Sequence, residues 1–324
     1  MQRVFIAAVV AVLSWGGWTF LQNYTLDGLS QLKVVPRTAS SNGQDGTTSV
    51  AFHGGVIRVA SFNIQVFGQS KLGKPDVMQV LCEVARRVDI MAIQEIRAKS
   101  DDILPRFVAQ INSTGRKYDY VIGPRLGRSD SKEQYAFVYD TATIDVDRQA
   151  LYTVSDPGDR LHREPLVGCF RARGAPPNEA FTFSLINIHT DPDETKMELD
   201  ALADVYSAVR NDGRGEDDII LLGDLNVDEN HLGRLGQVPN ITWTVSGAPT
   251  NTRKDKTYDN ILFNRLATSE FTGNCGVLDL MHDFNLSTQQ ALQVSDHMPI
   301  WAEFSVFEGG REGRITTAPG TQLR

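Results

Sequence analysis

The chain has 324 residues, 41% of them apolar, and a formal net charge of −8. That length and apolar content suit one large α/β domain or two small ones, and one main domain with a sizeable core is expected. The negative charge excludes a generally basic surface that binds nucleic acid through phosphate neutralisation, but not a cleft where carboxylate-held divalent cations and a few arginines reverse the field locally.

Arg3 gives a basic start, and residues 4–21 are apolar apart from Ser14, Thr19 and glycines. Residues 1–25 therefore read as an export signal or, with no clear A-x-A cleavage site following, an uncleaved membrane anchor. Either places the rest of the chain outside the cytoplasm: secreted, periplasmic or tethered. Residues 26–55 are rich in Ser, Thr, Gly, Gln and Asn, and a flexible tether is expected there. The folded domain is expected over 56–308, with a polar, glycine-punctuated tail over 309–324.

Within the domain, Ile57 to Ile64 alternates as a strand does, and Val77, Val80, Leu81, Val84 and Val88 recur at helical spacing. Strands follow at 89–94, 118–122 and 134–139, the last two flanking the loop GPRLGRSDSKE, which has the composition of a substrate-facing connection. A strand over 181–189 leads to a helix striped by Leu199, Leu202, Val205, Tyr206 and Val209, then to strands over 218–223, 258–263 and 298–306. This order implies two packed mixed β-sheets flanked by helices, a four-layer α/β sandwich, with reactive residues on loops at one edge. Cys82, Cys169 and Cys275 cannot all pair and lack CxxC spacing, so buried free thiols are expected.

Five segments put chemistry at strand ends: Ser61-Phe62-Asn63, Ile93-Gln94-Glu95, Asn187-Ile188-His189, Gly223-Asp224-Leu225-Asn226 and Ser295-Asp296-His297. Hydrolysis of a phosphodiester needs an activated water, a stabilised pentavalent anion and a neutralised leaving oxygen, and hard divalent metals on oxygen ligands meet the last two needs. Glu95, Asp224, Asn226 and Asp296 are the oxygen donors, and Asn63 is an amide able to bind metal or phosphate. His189 and His297 are the proton-transfer groups, with Glu133 and Asp259 as candidate carboxylates to orient their rings. A lone GDLN is more often a turn, and a single histidine more often structural. The combination in one chain order at successive strand ends is what points to a metal-dependent phosphodiesterase.

The set SFNIQ, IQEIR, NIHT, GDLNVD, YDNI and SDHMP resembles the endonuclease/exonuclease/phosphatase superfamily, and YDYVIGPRLGRSDSKEQYAFVY, HREPLVGCF and ALADVYSAVR resemble its pancreatic-type secreted deoxyribonucleases. The likeness covers about residues 56–306. It implies a monomeric DNA endonuclease using Mg2+ or Mn2+ with Ca2+, in which His297 with Asp259 and His189 with Glu133 are general base and acid in an order left open. It also implies one metal position on Glu95 and Asp296, and a second metal or the phosphate on Asp224 and Asn226. Arg97 matches an arginine that enters the DNA minor groove and Arg163 one near backbone phosphates, while Arg128 is a further DNA-binding candidate in the LGRS loop. Ser131 replaces a groove-stacking tyrosine, which should weaken duplex binding. Lys256 stands at one family cysteine position, and SDPGD replaces the short cysteine loop. Of two calcium sites, one could persist on Asp156, Asp159 and Glu164. The other retains Thr250 and Thr252 but has Ala248 in place of an aspartate. Other readings of the same scaffold are a phosphodiesterase for RNA, a phospholipid headgroup or a small phosphodiester, and a non-catalytic binding protein, which has no need of both histidines.

Overall fold

The computed structural model describes residues 55–128 and 132–310. The expected export or anchor segment, most of the tether, Ser131 and the tail from residue 311 lie outside those residues. Among the described residues no helix is long and apolar enough to cross a membrane.

The elements run β1 (Val56–Phe67), α1 (Gln69–Leu72), α2 (Pro75–Ala85), β2 (Ile90–Ile96), α3 (Ile103–Asn112), β3 (Tyr118–Ile122), β4 (Gln134–Asp140), β5 (Ile144–Thr153), β6 (Leu166–Ala172) and β7 (Thr182–His189). They continue with α4 (Thr195–Arg210), β8 (Ile219–Asp224), β9 (Ile241–Trp243), β10 (Asp259–Asn264), β11 (Phe271–Val277), α5 (Leu280–Asp283), α6 (Thr288–Val294) and β12 (Ile300–Ser305). One sheet has the order β11-β12-β1-β2-β4-β3 and the other β5-β6-β7-β8-β10-β9. Each is mixed, with one parallel pair at its centre: β1 with β2, and β7 with β8. The two mixed six-stranded sheets with flanking helices are the α/β sandwich expected from the sequence.

The period of two along each strand builds the layers. Ile57 and Val59 of β1 and Ile220 and Leu222 of β8 point into one apolar core between the sheets. Phe62 and Ile64 of β1 face the opposite way, onto Leu81 of α2 and Phe107 of α3. On the other sheet Ile219 and Leu221 meet Leu199, Leu202, Val205 and Val209, the helical stripe read from the sequence. Aromatic pairs fill the inter-sheet layer, Phe137 with Phe170 at 5.2 Å and Phe181 with Phe304 at 5.9 Å between ring centroids. Central strands buried on both faces explain why β2 and β8 read as nearly unbroken apolar runs.

Candidate active site

Sheet register brings three of the expected residues side by side before any side chain is considered. Along the parallel pair His189 lies opposite Asp224, and along the neighbouring antiparallel pair Asp259 lies opposite the same Asp224. The backbone pays for this placement locally. Gly223 has φ +150, and a Cβ there would stand 1.9 Å from the carbonyl oxygen of Ile188, so no larger residue fits between β7 and β8. Glu95 and Asn226 are held in the left-handed region at φ 61 and 53, a conformation that non-glycine residues keep only where surrounding contacts impose it.

Asp224 is the centre of the arrangement. Its Oδ2 accepts from Asn63 Nδ2 at 2.9 Å and lies 3.5 Å from His189 Nε2 and 3.4 Å from His297 Nε2. On the far side of each ring, His189 Nδ1 is 2.8 Å from Glu133 Oε1 and His297 Nδ1 is 2.9 Å from Asp259 Oδ2. Two imidazoles thus face one carboxylate, each backed by its own buried acid. Burial alone would push both imidazoles down, but Glu133 and Asp224 outweigh it at His189, and Asp259, Asp224 and Asp296 at His297. His189 is held above the usual histidine range and His297 well above it.

The oxygen donors lie on the same rim. Burial alone would raise the Glu95 carboxyl, yet His189, Arg97, the Val66 backbone N–H and the Asn63 amide hold it below its ordinary value, so it stays ionised. Asn63 Nδ2 reaches Glu95 Oε1 at 3.3 Å as well as Asp224, tying the two sheets together at the site. Asp296 Oδ1 is buried without a hydrogen-bond partner, 3.9 Å from His297 Nε2. A buried carboxylate oxygen without a partner, on the same rim as the Glu95 carboxylate, is a donor that fits a hard divalent cation. Asp224, Asp259 and His297 also place ligand atoms within 4.8 Å of one another. Asn226 donates Nδ2 to the Thr190 carbonyl at 2.9 Å, and its backbone N–H reaches Asp224 Oδ1 at 3.0 Å.

The arginines divide. Arg97 sits at the mouth, its Nε 3.1 Å from Glu95 and 3.7 Å from Glu133. Arg163 was expected near backbone phosphates but is 5% exposed: its Nε lies 3.3 Å from Glu133 Oε1 and its NH1 donates to the His189 carbonyl at 3.1 Å. It braces the His189 pair from behind, since the HREP segment runs beneath the strand end. Arg128 spends its guanidinium on Asp159 and Glu194. That pairing also claims Asp159, and Asp156, Asp159 and Glu164 are not gathered into a shared ligand cluster among the described residues.

Several supporting contacts were not read from the sequence. Thr250 donates to Asp259 Oδ2 at 2.7 Å, and Thr252 donates to the Ser295 carbonyl at 2.7 Å, so both threonines hold the His297 side of the site. Ser295 donates to the Asn63 carbonyl at 2.7 Å and accepts from the His297 N–H at 3.1 Å. Behind them Gln94 Nε2 donates to Asn187 Oδ1 at 2.7 Å, a buried polar bridge between the sheets. Lys71, 8% exposed, donates to the Ile64 carbonyl at 2.6 Å and to that of Gln65. Only the spacing of Ser295 and Gln94 beside motif residues could have marked them in the sequence.

Comparison with known proteins agrees with this geometry. The Endonuclease/Exonuclease/phosphatase family profile matches residues 60–297. Deoxyribonuclease gamma of Rattus norvegicus is 34% identical over 269 residues, covering 78% of this chain and 86% of that protein. Deoxyribonuclease-1-like 2 of Homo sapiens is 33% identical over 273 residues, covering 75% of this chain and 90% of the relative. Among solved structures, D. rerio TDP2 complexed with single strand DNA product superposes with a TM-score of 0.53 at 16% identity, over 77% of this chain and 99% of that one. At that identity the likeness concerns the fold.

Proposed function

Because the chain belongs to the Endonuclease/Exonuclease/phosphatase family, with deoxyribonuclease relatives aligned over most of its length, we propose that it is a metal-dependent deoxyribonuclease that cuts phosphodiester bonds within DNA. The observation that carries this reading is the convergence of His189 Nε2 and His297 Nε2 on Asp224 Oδ2, each ring backed by its own carboxylate. Two such pairs allow one histidine to take the proton of the attacking water while the other delivers one to the leaving oxygen. Glu133 and Asp259 fix which ring nitrogen carries the proton and stabilise the imidazolium that forms.

Glu95 and Asp296 would hold the divalent cation, with Asp224 and Asn226 presenting a second cation or the phosphate. Bound there, such a cation, Mg2+ or Mn2+, supplies charge stabilisation for the phosphoryl oxygens and the leaving oxygen. The chain's own part is to keep Glu95 ionised, to hold Asp224 between the two rings through Asn63, and to place Arg97 at the mouth for a DNA phosphate or groove edge. Arg163 acts through Glu133 rather than by touching DNA.

The test is nicking of supercoiled plasmid by the full chain with magnesium and calcium, beside a chelated control and the His297→Ala and His189→Ala variants. Metal-dependent nicking that falls by ~10²-fold or more in each variant, with circular dichroism unchanged, is the expected result. Near-wild-type nicking by either variant defeats the mechanism. No nicking by a folded, metal-loaded wild type moves the assignment to RNA, a phospholipid headgroup or another small phosphodiester.

A further inference from the structure

At the opposite end of β8 from Asp224, about 20 Å away at ~3.3 Å per residue, a second group of acids gathers. Asp218 precedes β8, Glu270 precedes β11 and Glu308 opens the turn after β12, and their carboxylate oxygens lie within 4.8 Å of one another. Asp218 and Glu270 are each 1% exposed. Asp218 Oδ1 and Glu270 Oε2 are buried and have no hydrogen-bond partner. Thr268, 2% exposed, sets its hydroxyl beside Asp218 without a hydrogen bond of good geometry, adding a third unsatisfied oxygen. Glu216 and Asp217 extend the group through Asp218. Among the described residues none of these five acids pairs with a lysine, arginine or histidine.

We propose that Asp218, Glu270 and Glu308, with the Thr268 hydroxyl, form a structural calcium site that pins the start of β8 to β11 and to the turn after β12. Buried carboxylates with no counter-cation and unpaired oxygens are costly unless something neutralises and coordinates them. The donor set is all oxygen, as hard cations require. The three carboxylates bring oxygens within 4.8 Å of one another, close enough to share one cation, and a cage made of protein oxygens suits calcium, whereas magnesium usually keeps several waters. Exposed Glu308 gives the ion a path from solvent. The site contains no residue of the cutting centre, so it stands whatever that centre cuts.

The experiment is thermal unfolding of the metal-stripped full chain, in chelator and in calcium chloride, for wild type, Asp218→Asn and Glu270→Gln, with bound calcium counted per chain at equilibrium. In chelator each variant should melt no lower than wild type, because a buried acid without a counter-charge has been neutralised. In calcium, wild type should gain about 5 °C or more beyond any gain of the variants. One bound calcium per chain should be lost in each variant, with plasmid nicking at saturating magnesium unchanged. Equal calcium-induced gains and equal stoichiometry in all three proteins would overturn the site and leave protons as the neutralising agent. If a core variant fails to fold, Glu308→Gln, at an exposed position, must show the same loss of calcium or the proposal falls.

Discussion

Gly223 shows how narrow the tolerance of the cutting centre is. Its φ of +150 and the 1.9 Å that a Cβ would leave to the Ile188 carbonyl mean that Gly223→Ala must separate β7 from β8 where His189 and Asp224 face each other. The expected cost is about 2–4 kcal/mol in urea unfolding, with nicking lost more steeply than stability. A variant as stable and active as wild type would show that the two strands are free to spread. The residues that converge here were legible, because strand-end Asn, Glu, His, Asp-x-Asn and Asp-His carry their chemistry in their identities. Their supports were not. Ser295 reaches Asn63 across 232 residues and Asn187 reaches Gln94 across 93, and nothing local marks a serine or an amide as one end of such a bond. The contact of Arg163 with Glu133 was hidden for the related reason that a charge reads as surface until its partner is found.

The end of β1 is the element on which Glu95 depends. Gln65 and Val66 turn through φ 29 and 53, an unfavourable conformation for a β-branched residue, and this turn aims the Val66 N–H at Glu95 Oε2 at 2.8 Å. Lys71, delivered by the single turn of α1, caps the carbonyls of Ile64 and Gln65 from below. Burial pushes its ammonium down to about 8 while Asp296 and Glu95 oppose that, so near neutral pH it remains a cation clamped under the rim that carries those two acids. Lys71→Met, which keeps the apolar stem, should raise the magnesium needed for half-maximal nicking by about tenfold, the scale on which supports of metal ligands act. An unchanged magnesium requirement would make Lys71 a packing residue only. Elements with strong periodicity, such as α4 and the central strands, were readable. The edge strands β5 and β9 and the glycine-bearing β11 were not, because exposed residues such as Arg148 and Gln149, or glycines such as Gly273 and Gly276, carry no alternation and are held by their neighbours in the sheet.

Across the whole molecule the acids do opposite things at its two ends, and the pH dependence of stability separates them. Glu95, held below its ordinary value, contributes stability that is present at neutral pH and lost only as the pH falls toward and below the usual carboxylate range. Asp218, raised from 3.8 to about 9, has the reverse sign: the folded chain keeps a proton that the unfolded chain releases. Its contribution is therefore full below about pH 4 and drains away as the pH climbs toward 9. His189 and His297, also raised, lose their contributions as the pH rises through their folded values, so the wild-type slope alone cannot identify Asp218. The difference between proteins can. In chelator, the melting temperature of wild type should fall from pH 5 to pH 9 more steeply than that of Asp218→Asn, whose amide holds no titrating proton, while the histidine contribution is common to both. Calcium should flatten the wild-type curve toward the variant's, because an ion that replaces the protons leaves nothing for rising pH to remove. Parallel curves in chelator would show that Asp218 is ionised in the fold at neutral pH and that its buried charge is balanced by something other than a proton.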